Sequence, residues 1–242
     1  MKNILYTIIL SFLFSSSVFA DFQAGMDAYL ADDNATAYKE WKPLAEQGHA
    51  EAQYRIGRMY SRGDTGYIHE PFGVTQDFKE AVKWYRLAAE QGHVGAQYSL
   101  GLIYDAGKVG LPQNSEAVKW YRLAAEQGHE EAQHNLVLMY ALKGDYATAY
   151  KELKPFAEQG NEEAQYNLGL MYARGEGVIE DDVIAHMWFN IAANCVCKGV
   201  TNVVENAKKG RDALAQKMTP EQITKAQKLA DECIKKDYKD CG

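Results

Sequence analysis

The chain has 242 residues, 47% hydrophobic and 24% charged, with a formal net charge of −7. A composition this ordinary supports one or two cores. The acidic balance argues against nucleic acid or an anionic membrane as the main partner, because both require clustered Lys and Arg, and no such cluster stands in the sequence.

At the N-terminus, Lys2 precedes the apolar run Ile4 to Phe14, followed by Ser15 to Ser17 and then Val18, Phe19 and Ala20. That run is too short to span a bilayer, and a small-x-small ending suits signal-peptidase cleavage. The expectation is a signal peptide over 1–20, leaving a product of net charge −8 once Lys2 is lost. No later segment approaches the roughly twenty apolar residues of a membrane-spanning helix. The expected destination is therefore the periplasm, with secretion beyond it as the alternative and no membrane insertion after signal removal.

Residues 21–33 supply one helix, and periodic units follow. EAVKWYRLAAEQGH at 80–93 returns unchanged at 116–129. Taking Ala89 as an anchor, equivalent alanines stand at Ala45, Ala89, Ala125, Ala157 and Ala193, spaced 44, 36, 32 and 36 residues apart. This is a helical-hairpin period. Ala37, Ala81, Ala117, Ala149 and Ala185 precede the anchors; Gly48, Gly92, Gly128 and Gly160 follow four of them, and then come Ala52, Ala96, Ala132 and Ala164. Ala81, Trp84, Ala88 and Ala89 form one helical stripe, and Ala96, Leu100, Ile103 and Tyr104 a second. Each unit thus predicts two amphipathic helices, with the glycine after the anchor ending the first in a left-handed conformation.

Gly57, Gly101 and Gly169 fall within the second helices, where glycine costs about 1 kcal/mol relative to alanine. Close approach of a neighbouring helix is the expected compensation, with Tyr60, Tyr104, Tyr140 and Tyr172 filling the adjoining space. Val137 interrupts the glycine column, so wider packing is expected there. Pro43 and Pro155 each remove a backbone donor inside a first helix, which predicts a kink or break near Lys42 and Lys154. The long spacing of 44 places an eight-residue insertion within 61–78, a loop. Its Tyr67, Ile68, Phe72 and Phe78 are more apolar than a solvated loop requires. They are candidates for partner contact, with folding back onto the stack an equal alternative. Beyond Ala193 the period fails, and 201–235 reads as two polar helices broken near Thr219 and Pro220, a cap for the last unit.

AVKWYRLAAEQGHVGAQYSLGLIYDAG, echoed by AQYNLGLMYARGEGV at 164–178, resembles the Sel-1-like repeat, a relative of the tetratricopeptide repeat. The resemblance covers roughly 35–194, and the tail is similar to that of bacterial secreted members. It implies an all-α fold, an α/α superhelical solenoid of helix-turn-helix repeats over 21–194 with a cysteine-containing helical cap over 195–242. It also implies a non-catalytic scaffold or adaptor in the cell envelope or secreted, with a protein or peptide partner. A cysteine-rich branch of the family has been linked to penicillin binding and β-lactam hydrolysis, which makes action on β-lactams or peptidoglycan the alternative. That branch carries a cysteine pair in each repeat, whereas here no cysteine lies between 21 and 194.

Candidate chemistry is limited by distance. His49, His93 and His129 share one position after the turn glycine, but equivalents in successive units stand on the order of 15–20 Å apart, whereas zinc needs its ligands about 2 Å away. They read as polar starts of the second helices. The same separation rules out Glu46, Glu90, Glu126 and Glu158 as a catalytic set. No nucleophile, cofactor or zinc motif stands elsewhere, so no catalytic, cofactor-binding or metal residue is assigned. Arg62-Gly63-Asp64 spells an adhesion tripeptide and reads as a helix end. Cys195, Cys197, Cys233 and Cys241 are disulfide candidates in an exported chain. Of three connectivities, closing Cys195 to Cys197 is strained, which favours bridges from Cys195 and Cys197 to Cys233 and Cys241.

Overall fold

The computed structural model describes residues 21–63, 75–110, 114–194, 202–239 and 241. Among them all regular structure is helical. In chain order the helices are α1 (21–30), α2 (Asn34–Glu46), α3 (Ala50–Arg62), α4 (Phe78–Glu90), α5 (Val94–Asp105), α6 (Asn114–Glu126), α7 (Glu130–Ala141), α8 (Tyr146–Ala157), α9 (Glu162–Arg174), α10 (Asp182–Ala193), α11 (Asn202–Ala215) and α12 (Pro220–Lys235). The chain forms two compact units, Met1–Ala132 and Gln133–Gly242. None of the described helices is long and apolar enough to cross a membrane.

The helix ends follow from short polar side chains and from glycine. First helices start on aspartates: the carboxylates of Asp33, Asp77, Asp145 and Asp181 accept from backbone amides of the first turn. They stop at Gly48, Gly92, Gly128 and Gly160, all with φ between 85° and 96°, the left-handed region that glycine enters without a Cβ penalty. At each stop the chain turns back with the amide of His49, His93, His129 or Asn161 bonded to a last-turn carbonyl.

The prolines do not break their helices. α2 runs through Pro43 and α8 through Pro155; each proline lies in the last turn, so the one amide bond it removes and any displacement by its ring affect only the helix end. The Pro43 carbonyl still accepts from the Gln47 amide at 3.2 Å.

In the first unit α2 to α6 pack in sequence, each helix against the next. α1 closes the open end: Trp41 is fully buried with its indole donating to the Phe22 carbonyl at 3.2 Å. In the second unit α8, α9 and α10 pack in order, and α11 and α12 both lie on α10. The break between those last helices is the expected one. Thr219 accepts from the Gln222 amide while the Gln222 side chain accepts from the Thr219 amide, a capping box ahead of Pro220.

The cysteine pairing differs from expectation. Cys233 is bonded to Cys241, eight residues on, rather than to Cys195 or Cys197. The end of α12 turns through Asp237 and Tyr238, both with positive φ, which returns the chain to its own helix and brings the two α-carbons within 5.4 Å. Cys195 and Cys197 lie outside the described residues.

Candidate functional site

The residues that recur from unit to unit are directed inward. A Cβ at Gly57 would stand 2.7 Å from the ring of Tyr85, one at Gly101 2.4 Å from Tyr121, and one at Gly169 2.6 Å from Phe189. Each ring comes from the following first helix, four residues before its anchor alanine. Gly25 meets Trp41 in the same way. The tyrosines expected in this role serve elsewhere: Tyr60 shares a hydrogen bond with Tyr38, and Tyr172 with Tyr150, both at 3.1 Å, while Tyr104 accepts from Arg86 at 2.7 Å. They tie the two helices of one unit together. Burial, with the bond to Tyr38, raises the Tyr60 hydroxyl to about 12.

A buried glutamine ladder, which the periodicity did not reveal, runs alongside. Gln53, Gln97 and Gln165 donate to the carbonyls of Ala45, Ala89 and Ala157 at 3.0 to 3.1 Å. Gln91 then donates to Gln53, and Gln127 to Gln97, both at 2.7 Å. Each of these helix-end carbonyls also accepts from the turn amide, of Gly48, Gly92 or Gly160, so the glutamine supplies a second donor and attaches the next unit to the same side chain. The signal was present as the invariable Gln after Ala52, Ala96, Ala132 and Ala164.

The histidines open second helices, as their position predicted. Nδ1 of His49 accepts from the Ala52 amide and Nδ1 of His93 from Ala96, as Oδ1 of Asn161 does from Ala164. At His129, Nδ1 faces the Glu131 carboxylate at 3.2 Å instead. Because Nδ1 of His93 is the acceptor, its Nε2–H donates to Glu51 at 2.7 Å. Arg55 binds the other Glu51 oxygen at 2.6 Å. The His93 bond first, with help from Arg55 and against partial burial, lowers the Glu51 carboxyl to about 2.

Among the described residues, open pockets lie in both units. The one in the first unit, 450 Å³, lies between α3, α4 and α5 and includes Tyr54, Arg58, Arg62, Phe78, Tyr85 and Tyr98. Its floor is ordered: the Arg58 guanidinium lies over the Tyr54 ring at 5.7 Å, and Tyr85 bonds to Ser61 at 2.9 Å, with burial raising its hydroxyl. Of the predicted contact residues, Phe78 lines this pocket and starts α4; Tyr67, Ile68 and Phe72 lie outside the described residues. Gly63 ends α3 at φ 65°, the role read for the glycine of the tripeptide. The pocket in the second unit, 170 Å³, is lined by α7, α8 and α9, among them Val137, Leu138, Leu153 and Leu170. Here Val137 replaces the column glycine, and Leu153 stands where the other copies carry a ring. Val137 lines this pocket.

Residues 50–93, 94–129 and 162–195 match the Sel1 repeat family. The chain belongs to the Sel1-repeat family. Its fold class is accordingly the all-α solenoid of helix-turn-helix repeats. A crystal structure of a Sel1 repeat protein from Oxalobacter formigenes is similar at 28% identity and a TM-score of 0.60, over 86% of this chain and 84% of that one. A protective antigen of uropathogenic Escherichia coli strains, with an SLR fold, is 25% identical at a TM-score of 0.44; 91% of this chain is covered, but only 55% of the antigen. No curated protein matches the chain in sequence. Each Sel1 match joins a second helix to the following first helix, so each contains one glycine–ring contact, and 130–161, with Val137 and Leu153, falls outside them.

Proposed function

We propose that this Sel1-repeat protein is an exported scaffold of the bacterial cell envelope that binds a protein or peptide. Sel1 repeats are generally protein-interaction scaffolds and typically non-catalytic. One observation carries the reading for this chain: the residues common to the copies are occupied in holding helices together, whereas both open pockets include positions where the copies differ, Phe78 beside the insertion and Val137 with Leu153. Export rests on the order of charge, apolar run and small residues in 1–20. Two measurements test the proposal. N-terminal sequencing of protein recovered from the envelope should begin at Asp21, and an intact Met1 there overturns export. Crosslinking in envelope fractions should capture a protein saturably. Recovery of nothing above background, alongside a hit from soluble small molecules, overturns the scaffold reading.

A further inference from the structure

We infer that the pocket between α3, α4 and α5 binds an acidic peptide segment. The segment's carboxylate sits against Arg58 and Arg62, and a neighbouring apolar side chain sits against Phe78, Leu102 and Ile103. This inference deepens the scaffold reading and rests on it.

The lining is chemically divided. Arg58 and Arg62 stand on one side and no carboxylate lines the pocket, although the chain as a whole carries a net charge of −7. Elsewhere three guanidinium groups are paired with acids, Arg55 with Glu51, Arg174 with Glu176 and Arg211 with Asp212, while Arg86 donates to Tyr104. Among the described residues neither pocket arginine has a carboxylate partner. The Arg58 guanidinium lies over the Tyr54 ring, and among the described residues Arg62 donates to the Tyr29 hydroxyl, at 3.5 Å. A guanidinium is a planar fork of donors that takes a carboxylate through two parallel hydrogen bonds. Lys108 adds a further cation beside the pocket, 5.7 Å from the centre of the Phe78 ring.

The other side of the lining is aromatic and aliphatic. Leu102 is 41% exposed in the last turn of α5, and with half-buried Phe78 above the buried Ile103 it leaves apolar surface that a small anion does not cover. The Tyr85 hydroxyl, kept protonated by burial, and Ser99 supply neutral hydrogen-bonding groups between the two sides. A volume of 450 Å³ falls within the roughly 300–1,000 Å³ of ligand sites. A peptide with Asp or Glu beside Phe, Tyr or Leu satisfies both sides at once.

The test uses the full chain and fluorescence anisotropy with labelled, C-amidated heptapeptides that carry Asp or Glu at the centre, flanked by Phe, Tyr or Leu. Control sets replace the acid by its amide or the flanking residues by Ala. Saturable binding is expected, weakened about tenfold or more by the amide and by Arg62→Gln, the loss of one charged hydrogen-bonding pair. Arg62 is exposed, so that variant keeps the fold; an unchanged melting curve verifies this for it and for Arg58→Gln. The assignment is overturned by absence of saturable binding, by equal affinity for the amide set, by undiminished binding to Arg58→Gln/Arg62→Gln, or by Ala flanks binding as well as aromatic ones. A partner captured by crosslinking without acidic-peptide binding removes this site and leaves the scaffold; failure of both removes the scaffold as well.

Discussion

At α5 and α6 a glycine faces a ring, with no room for a single added carbon at Gly101 against Tyr121. At α7 and α8 the corresponding residues are Val137 and Leu153, and an open pocket lies beside them. Helix separation and ring size are coupled in these repeats. Glycine admits a whole aromatic ring, and its conformational cost of about 1 kcal/mol is offset by the burial and dispersion contacts of that ring. Replacing glycine by valine removes the slot, and a leucine then fills the space only partly. One pair exchange therefore turns a close-packed contact into a cavity without altering the helices on either side.

The largest contrast should come from truncating the larger member of each pair. Tyr121→Ala should cost about 4 kcal/mol, the usual range for a fully buried aromatic, and Leu153→Ala about 2, since the site already opens to a pocket. Denaturant midpoints at constant m-value measure both; equal losses would mean that the two contacts are packed alike. Removing the Gln97 donor from the Ala89 carbonyl, which keeps the Gly92 amide, comes next. Gln97→Leu should lose about 2 kcal/mol, the bonds to the Ala89 carbonyl and to Gln127 at about 1 kcal/mol each, and Gln97→Glu should not restore it.

Adding carbon at the small member should give opposite signs. Gly101→Ala should destabilise by about 1–2 kcal/mol, because overpacking against a fixed ring exceeds the helix-propensity gain. Val137→Ile should be neutral or raise the midpoint slightly, since the added methyl enters existing space. A destabilised Val137→Ile would show that the pocket cannot accept it.

The smallest effect is electrostatic and confined to the first unit. The folded-state Glu51 carboxyl lies at about 2, below its ordinary 4.5. A depressed carboxyl stabilises the fold fully above the ordinary value and loses that contribution as pH falls towards about 2. Melting temperature should therefore drop more steeply between those limits in the native chain than in Glu51→Gln. Identical pH profiles would dismiss the His93–Glu51–Arg55 network as a contributor.

Most of the scaffold was legible in the sequence because it is local. The alanine and glycine periods located the helices and their left-handed stops, the histidine column located caps, and Thr219-Pro220 located the last break. Contacts between units were not legible. The ring that meets Gly101 belongs to the next helix, and Tyr104 in the same helix was the nearer candidate along the chain. Pro43 and Pro155 showed their type but not that the last turn would tolerate them. The cysteine pairing depended on a positive-φ turn at Asp237 and Tyr238, residues whose type does not announce it. Of the site, Phe78 was found through its apolar excess. Arg58 and Arg62 were missed, because nothing in the sequence indicates that no acid would be placed beside them.

The glutamine ladder also determines where the chain can change length. Connections 47–49, 91–93 and 127–129, between first and second helices, are three residues long, and 158–161 is four. Both flanks are held there, by a capping side chain such as His49 or His93 and by the Gln-to-carbonyl bonds across the turn. Connections 63–77, 106–113, 142–145 and 175–181, between units, all differ in length; the Gln91–Gln53 and Gln127–Gln97 bonds bridge the first two without fixing the length of chain between their partners. A new segment can be grafted into those connections without disturbing the registration of the stack, and the insertion beside Phe78 occupies one of them.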